Sequence, residues 1–300
     1  IRSTPFLHKE RCPNPPTAVG GFFFLPVTVI QEEEFYMSKP EHRRERGSRE
    51  RRRERAQKIT RMVQPIHNIP IYELVQPEGI ELIHQKSLDI LQEVGIDFYL
   101  PEALDTLKAS GVDVRGETAH FEADLILDYV SKAPSGFTQL ARNPENNVTI
   151  GGNRMVFAPV YGPPFVYDIK RGRREATLED FQNFVKLAYL SPYIHHSGGT
   201  IVEPTDAPDA TRHLDMLFSH IKFSDKAFMG SVMSRANAQD SVKIAEILYG
   251  ADEIRQNPAL ISLINVSSPR RYDDRMLEAL TVYAKARQAV IITSDAAQLS

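Results

Sequence analysis

Four stretches of this chain repeat one pattern: Ile194-His195-His196-Ser197-Gly198-Gly199, Lys226-Ala227-Phe228-Met229-Gly230-Ser231-Val232, Ala259-Leu260-Ile261-Ser262-Leu263-Ile264-Asn265-Val266 and Ala289-Val290-Ile291-Ile292-Thr293. Each is a β-branched or apolar run that leads into small or polar residues, and an amphipathic helix pattern follows each of the first three. They start at 194, 226, 259 and 289, so the spacings are 32, 33 and 30 residues. Strand then helix at that spacing is the rhythm of βα units on a parallel sheet. No Rossmann glycine fingerprint follows the first strand, which favours a (β/α) barrel over a doubly wound sheet. Chemistry in a barrel sits where strands end. Those ends are Ser197-Gly198-Gly199-Thr200, Gly230-Ser231, Asn265-Val266-Ser267-Ser268-Pro269 and Thr293-Ser294.

The helices are legible from caps and periodicity. Thr177 is placed as an N-cap with Asp180 reaching back, and Leu178, Phe181, Val185 and Ala188 form the apolar face behind it. A second helix carries Ala210, Leu214, Leu217, Phe218 and Ile221 at three- and four-residue steps. Asn237 and Asp240 open a third, which stops at Gly250 as a C′ glycine. Met276, Leu277, Leu280, Tyr283 and Ala284 face inward on the fourth.

Upstream, residues 77–150 read as a small α/β region. A helix from Pro77 is stopped by Gly95, a second runs from Pro101 towards Gly111, and Val112–Phe121 alternates as a hairpin. Ala123–Lys132 is helical, and Phe137–Ala141 and Val148–Ile150 are short strands. His84 and His120 read as surface or packing residues. The partial barrel occupies 151–300, and its first strand is Val156–Val160. The stiff turn Tyr161-Gly162-Pro163-Pro164 follows, and Phe165–Asp168 leads into the basic turn Lys170–Arg174, read as solvated.

The termini differ in character. The first Met is Met37, which is the expected native start, with 1–36 a non-native or disordered upstream segment. Residues 37–76 form a basic disordered tail. Within it, Arg43–Arg55 holds eight Arg against three Glu, a net +5, so the rest of a chain at −3 carries −8. A charge block without apolar residues is solvated rather than packed.

Composition narrows the function classes. With 42% apolar residues in 300, the chain buries a substantial core. Its net charge gives no nucleic-acid signature. A single cysteine, Cys12, excludes a disulfide framework within the chain and a thiolate metal site. No apolar stretch reaches the ~20 residues of a membrane span. Gly21–Ile30 is too short, is broken by Pro26, and lacks a basic flank for a signal peptide.

Several phrases, in order and spacing, resemble the trimethylamine:corrinoid methyltransferase family. They are Ile83-His84-Gln85-Lys86-Ser87-Leu88 with Leu91-Gln92-Glu93-Val94-Gly95, and Ala133-Pro134-Ser135 with Ala141-Arg142-Asn143-Pro144. Next come Tyr161-Gly162-Pro163-Pro164-Phe165, Gly198-Gly199 with Val202-Glu203-Pro204, and Arg212-His213-Leu214-Asp215. Asp225–Ser231 and Leu263-Ile264-Asn265 with Ser267-Ser268-Pro269 complete the set, so the resemblance spans about residues 77 to 293. It implies a barrel that moves a methyl group from a methylated amine to the cobalt of a corrinoid protein. The non-pyrrolysine branch, which uses quaternary amines such as glycine betaine, is the expected one. Family members run beyond the equivalent of residue 300. Here Ser294–Ser300 reads as foreign, leaving five strands and four helices of an incomplete TIM-type barrel.

Methyl transfer from a quaternary ammonium is a direct displacement, so the protein positions and desolvates. No catalytic acid, base or nucleophile is assigned. The candidate substrate-binding residues are Tyr161, Gly162, Gly198, Gly199, Glu203, Gly230, Ser231, Asn265, Ser267 and Ser268. Tyr161 either offers a cation–π face or packs against the helices. Gly162, Gly198, Gly199 and Gly230 either admit a corrin or make tight turns. Asn265, Ser267 and Ser268 either hold a carboxylate or corrin amide or lead into a helix. Glu203 either supplies negative potential or caps the next helix.

The expected cofactor is a corrinoid (cobalamin) presented by a partner corrinoid protein, with none bound directly. A cytoplasmic homo-oligomer without membrane or nucleic-acid partners is expected. No metal site is expected: His195 and His196 point to opposite faces, and His213 and His220 lie two turns apart. The rival readings are a barrel lyase or aldolase, whose strand-end lysine is missing, and a non-catalytic half barrel with uncovered strand edges.

Overall fold

A computed structural model describes residues 62–70, 72–267 and 269–294, all within one unit, Gly47–Ser300. The expectations for residues 1–36, for the arginine block and for Ser268 fall outside the described residues.

The N-terminal region begins with helix α1 (Pro77–Asp89), which has Pro at its first position and passes into a π-turn at Ile90–Val94. Gly95 ends it at φ +76. A Cβ there would stand 2.6 Å from the Ala119 carbonyl oxygen, so both conformation and space demand glycine. Strand β1 (Ile96–Phe98), helix α2 (Pro101–Ala109), the hairpin β2 (Asp113–Arg115) to β3 (Thr118–His120), and helix α3 (Ala123–Ser131) follow. A second hairpin pairs β4 (Gly136–Gln139) with β5 (Val148–Gly151). Apart from strand β1, which the sequence reading does not contain, these elements match it to within a few residues.

Two departures come next. Val156–Val160 runs extended but joins no strand ladder; Phe157 accepts from the His195 N–H at 2.8 Å, and Pro159 has no N–H to offer. Phe165–Asp168 is strand β6, paired antiparallel with β7 (Gly172–Glu175), so only residues 169–171 form the hairpin tip, and Arg173 and Arg174 of the expected basic turn lie on β7. Asp168 closes that tip by accepting from the Lys170 and Arg171 backbone N–H groups, and this holds its carboxyl below its ordinary range.

The parallel units then appear. Helix α4 (Leu178–Leu190) has the full capping box, Thr177 with Asp180, and Arg174 grips the same Asp180 at 2.6 Å through both nitrogens of its fork. Helix α5 (Arg212–Phe223), strand β8 (Phe228–Met229), helices α6 (Arg235–Tyr249) and α7 (Ala251–Gln256) and strand β9 (Leu260–Val266) follow. Strand β10 (Arg271–Tyr272), helix α8 (Asp274–Lys285) and strand β11 (Ala289–Ser294) complete the order. The sheet order is β8-β9-β11, parallel throughout, with Met229 opposite Ile261 and Thr293 opposite Asn265. A parallel bridge from His196 to Ala227, with Ser197 N–H to the Ala227 carbonyl at 2.7 Å, extends it by the 194–198 run. The architecture is mixed α/β, and the described residues form no closed barrel.

The core lies between this sheet and α5–α8. Leu217, Phe228, Ala238, Ala245, Leu260, Ile264, Ala279 and Tyr283 are all buried there. Each large side chain so buried stabilises the fold by roughly 1.5–3 kcal/mol. Three details of the helix reading change. On α5 the buried stripe is His213, Leu217 and His220, while Leu214 and Phe218 are 37% and 59% exposed. Helix α6 opens at Ser234, whose hydroxyl accepts from Asn237 N–H, rather than at Asn237 itself. On α8, Ala279 is buried and Ala284 is exposed.

The starts of the parallel strands are closed from the other side. Gln139 donates to the Phe228 and Ala259 carbonyls at 3.1 Å each, and Ala141 and Val148 pack on Ala227. Lys226, also at a strand start, donates to the carbonyls of Ala188, Ser191 and Ile194 at 2.9, 2.7 and 2.6 Å. Its three N–H groups thus find three acceptors around the end of α4. Burial lowers its pKa to about 8, and Asp225 opposes that shift.

Candidate functional site

The ends of the 194–198 run and of β8 are built from buried small and imidazole side chains. His195, His196, Ser197, Gly198, Gly199, Met229 and Gly230 are all buried. Successive residues of an extended run point to opposite faces, and the two histidines do so. His195 accepts from the Phe157 N–H at 2.8 Å and donates through Nε2 to the Val63 carbonyl at 2.7 Å. His196 accepts through Nδ1 from the Gly198 N–H at 2.9 Å.

Ser197 faces the helix layer, where it meets His220 of α5. His220 Nε2 lies 3.0 Å from the Gly199 carbonyl, so that nitrogen carries the proton; Nδ1 then accepts from the Ser197 hydroxyl at 2.7 Å. The ring is edge-on to Phe181 and stacked on Phe228. Burial pushes the pKa of His220 down to about 4 and that of His196 to about 3. Burial lowers His195 as well. All three imidazoles are neutral around pH 7 and fix the strand end rather than titrate there.

The candidate residues divide into groups. Tyr161, Gly162, Gly198 and Gly199 come together. Gly162 N–H donates to the Thr200 carbonyl at 2.8 Å, laying the Tyr161 turn alongside Gly199–Ile201. A Cβ on Gly162 would stand 1.6 Å from the Ile201 carbonyl oxygen. A Cβ on Gly199 would stand 2.7 Å from the Tyr161 hydroxyl and 3.0 Å from Met229 Cβ. Tyr161 is 38% exposed as a whole while its hydroxyl end is packed on Gly199. Burial raises the pKa of that hydroxyl, against opposing contacts with Thr200.

Gly230 and Ser231 belong to a second cluster. A Cβ on Gly230 would stand 2.3 Å from the Tyr283 hydroxyl and 3.0 Å from Ser262 Oγ. That tyrosine donates to the Ser231 carbonyl at 2.6 Å, and burial pushes its pKa up to about 12. The space beside Gly162, Gly199 and Gly230 is therefore filled by the chain's own groups. What these glycines admit is Ile201, Tyr161 and Tyr283, and nothing in the geometry assigns them to a corrin.

Asn265 and Ser267 lie further along the same edge of the sheet, both exposed, with Thr293 donating to Asn265 Oδ1. Glu203 stands apart. It is ion-paired at 2.7 Å with Arg212, the first residue of α5, so it neither caps that helix nor presents a free charge. Among the described residues no three His, Cys, Asp or Glu groups converge on a metal position. Sequence reasoning missed Tyr283, Ser262 and His220 as shapers of this edge. For His220 a signal existed: His213, Leu217 and His220 repeat at helical spacing.

The profile of the trimethylamine methyltransferase (MTTB) family matches residues 43–297. The chain belongs to this family. The match runs past both ends of the resemblance read from the sequence, taking in the arginine-rich block and part of Ser294–Ser300. Among family relatives, a glycine betaine methyltransferase of Desulfitobacterium hafniense (strain Y51) is 48% identical over 227 residues, 75% of this chain and 47% of its own length. A proline betaine:corrinoid methyltransferase of Eubacterium limosum is 28% identical over 230 residues, 73% of this chain and 46% of its own. The chain spans about half the length of the curated relatives it matches. No helix among the described residues is long and apolar enough to cross a membrane.

Proposed function

We propose that the protein carrying this chain demethylates a quaternary amine of the betaine type, and that its parallel sheet is one side of a (β/α) barrel. A corrinoid held by a partner protein supplies the cobalt nucleophile that accepts the methyl group. The supporting observation is the state of the ionisable groups along the strand ends. His195, His196 and His220 are held neutral, Glu203 is paired with Arg212, and Lys226 is committed to carbonyls at the opposite end of the strands. Among the described residues that edge offers no free general acid or base. A quaternary ammonium needs none, because its amine leaves without a proton.

What the chain contributes is position and desolvation. A methylammonium group cannot donate hydrogen bonds, so it is received by an aromatic face. Tyr161, fixed on Gly199 with part of its ring exposed, fits that role. Asn265 and Ser267 offer hydrogen-bonding groups for the carboxylate end of a betaine.

The names of both relatives support the betaine class over trimethylamine. Supplied with a Co(I) corrinoid protein, the protein is expected to form methylcobalt from glycine betaine faster than from carnitine or trimethylamine, followed by absorbance. No signal with any of the three would overturn the reading.

A further inference from the structure

We propose that β1 of the N-terminal region is the positioning element for the chain leaving β9, so that Ser267 is set in place by residues with no contact to the substrate. The assignment of that side chain to the substrate rests on the function proposed above; the clamp itself does not.

The sheet topology carries the inference. Strand β10, which follows the β9 end after a short turn, does not continue the β8-β9-β11 sheet. It is the edge strand of the N-terminal sheet, in the order β10-β1-β3-β2. Asp97 pairs with Arg271 and Phe98 with Tyr272, in parallel. The Asp97 N–H donates to the Arg270 carbonyl at 3.0 Å and the Tyr99 N–H to the Tyr272 carbonyl at 3.1 Å. Ser267 and Arg271 exchange both backbone hydrogen bonds, at 2.8 and 2.9 Å. Fixing Arg271 therefore fixes Ser267.

A two-residue ladder is too short to hold a turn by itself against the entropy cost of ordering its residues. Side chains supply the rest. Phe98 and Tyr272 stack at 5.2 Å with 9° between ring planes. Arg270 reaches back to donate to the Gly95 carbonyl, 175 residues away in sequence. Arg270 also sits at φ +53, an uncommon conformation for a residue with a Cβ. It persists because its carbonyl and its guanidinium are both held by the N-terminal region. The Gly95 carbonyl is presented by a backbone that only glycine can adopt at that spot, given the nearby Ala119 oxygen.

The test uses the full chain in three variants, Phe98→Ala, Phe98→Tyr and Arg270→Ala, with amide exchange and glycine betaine titration by calorimetry as readouts. In Phe98→Ala, exchange at the Ser267 and Arg271 amides should accelerate about tenfold or more while the Leu260–Ile264 amides keep their protection. Betaine affinity should fall about tenfold, and Phe98→Tyr should restore both readouts. Arg270→Ala should do the same to a smaller degree, and it carries the test should Phe98→Ala not fold. Unchanged exchange at Ser267 and Arg271 in the folded variants would overturn the clamp. Faster exchange with unchanged betaine affinity would overturn the positioning role. Should the unmodified chain bind no quaternary ammonium, the substrate reading falls and the exchange result alone decides whether the clamp exists.

Discussion

The ends of the 194–198 run and β8 contrast with those of β9 and β11, although one sequence pattern generates all four. At the first pair the backbone turns are glycine-built and buried, and the polar atoms of Ser197, His220, Gly199, Tyr283 and Ser231 bond to one another. At the second pair Asn265 and Ser267 are exposed, and Ile291 and Ile292 are 40% and 54% exposed. A βα repeat thus specifies a strand and its helix, not what covers the strand end. Cover comes from elsewhere: the Tyr161 turn and α5 seal the first pair, while the β9 end is held from one side through β10. Among the described residues the result is a locked wall beside an open ledge.

The severest way to break the wall is at Gly162. A Cβ there would sit 1.6 Å from a backbone oxygen, and no rotamer change relieves that. Gly162→Ala must push the Tyr161 turn off Gly199–Ile201. We expect a loss of more than about 3 kcal/mol, beyond the usual range for overpacking, measured by urea denaturation. A loss under about 1 kcal/mol would mean that the two segments are not in register as described.

Much of this contrast was hidden in the sequence, for definable reasons. Strands β9 and β11, the capping box at Thr177 and the glycine stop at Gly250 were legible because each is a local pattern. The buried stripe of α5 was not, because two of its members are histidines; an apolar count selects Leu214 and Phe218, which face out. Helix α6 was placed three residues late because Ser234 is an unremarkable residue until its hydroxyl meets the Asn237 N–H. The strict need for glycine at 162 depends on a carbonyl 39 positions away, and the β1–β10 pairing joins Asp97 to Arg271, 174 positions apart. Neither has a local signature. Of the candidate site, Tyr161, Gly162, Gly198 and Gly199 do converge, Glu203 does not join them, and Tyr283 entered unannounced.

Acid should dissolve the wall before the ledge. His196 and His220 have folded-state pKa values lowered to about 3 and about 4, against an ordinary 6.5. Between about pH 4 and 6.5 the unfolded chain binds protons that the folded chain refuses, so stability rises with pH across that window and is lost on acidification. Each histidine contributes up to about 1.4 kcal/mol per pH unit. Urea midpoints from pH 7 down to 4.5 should show this slope, and His220→Gln should make it clearly shallower, with His196 and His195 supplying the remainder. A His220→Gln variant with the full slope would mean that folding does not hold His220 neutral, contrary to its acceptance through Nδ1 from the Ser197 hydroxyl.

The smallest expected effect falls on Tyr161, which packs on the wall at Gly199. Its hydroxyl end is packed on Gly199 while part of the ring is open, so substitution separates the two roles. A cation–π contact with a desolvated methylammonium is worth roughly 2 kcal/mol, and ~1.4 kcal/mol is tenfold in affinity. Tyr161→Ala should weaken glycine betaine binding by something over tenfold in calorimetry. Tyr161→Phe should keep most of the affinity, since the ring and not the hydroxyl meets the cation, and it should change stability little because Gly199 leaves room for either ring. Equal losses in Phe and Ala variants would place the binding in the hydroxyl and reject the cation–π contact. Collapse of the fold in both would make Tyr161 part of the wall alone, and the ledge would then have to bind the ammonium through Asn265, Ser267 and strand-end carbonyls.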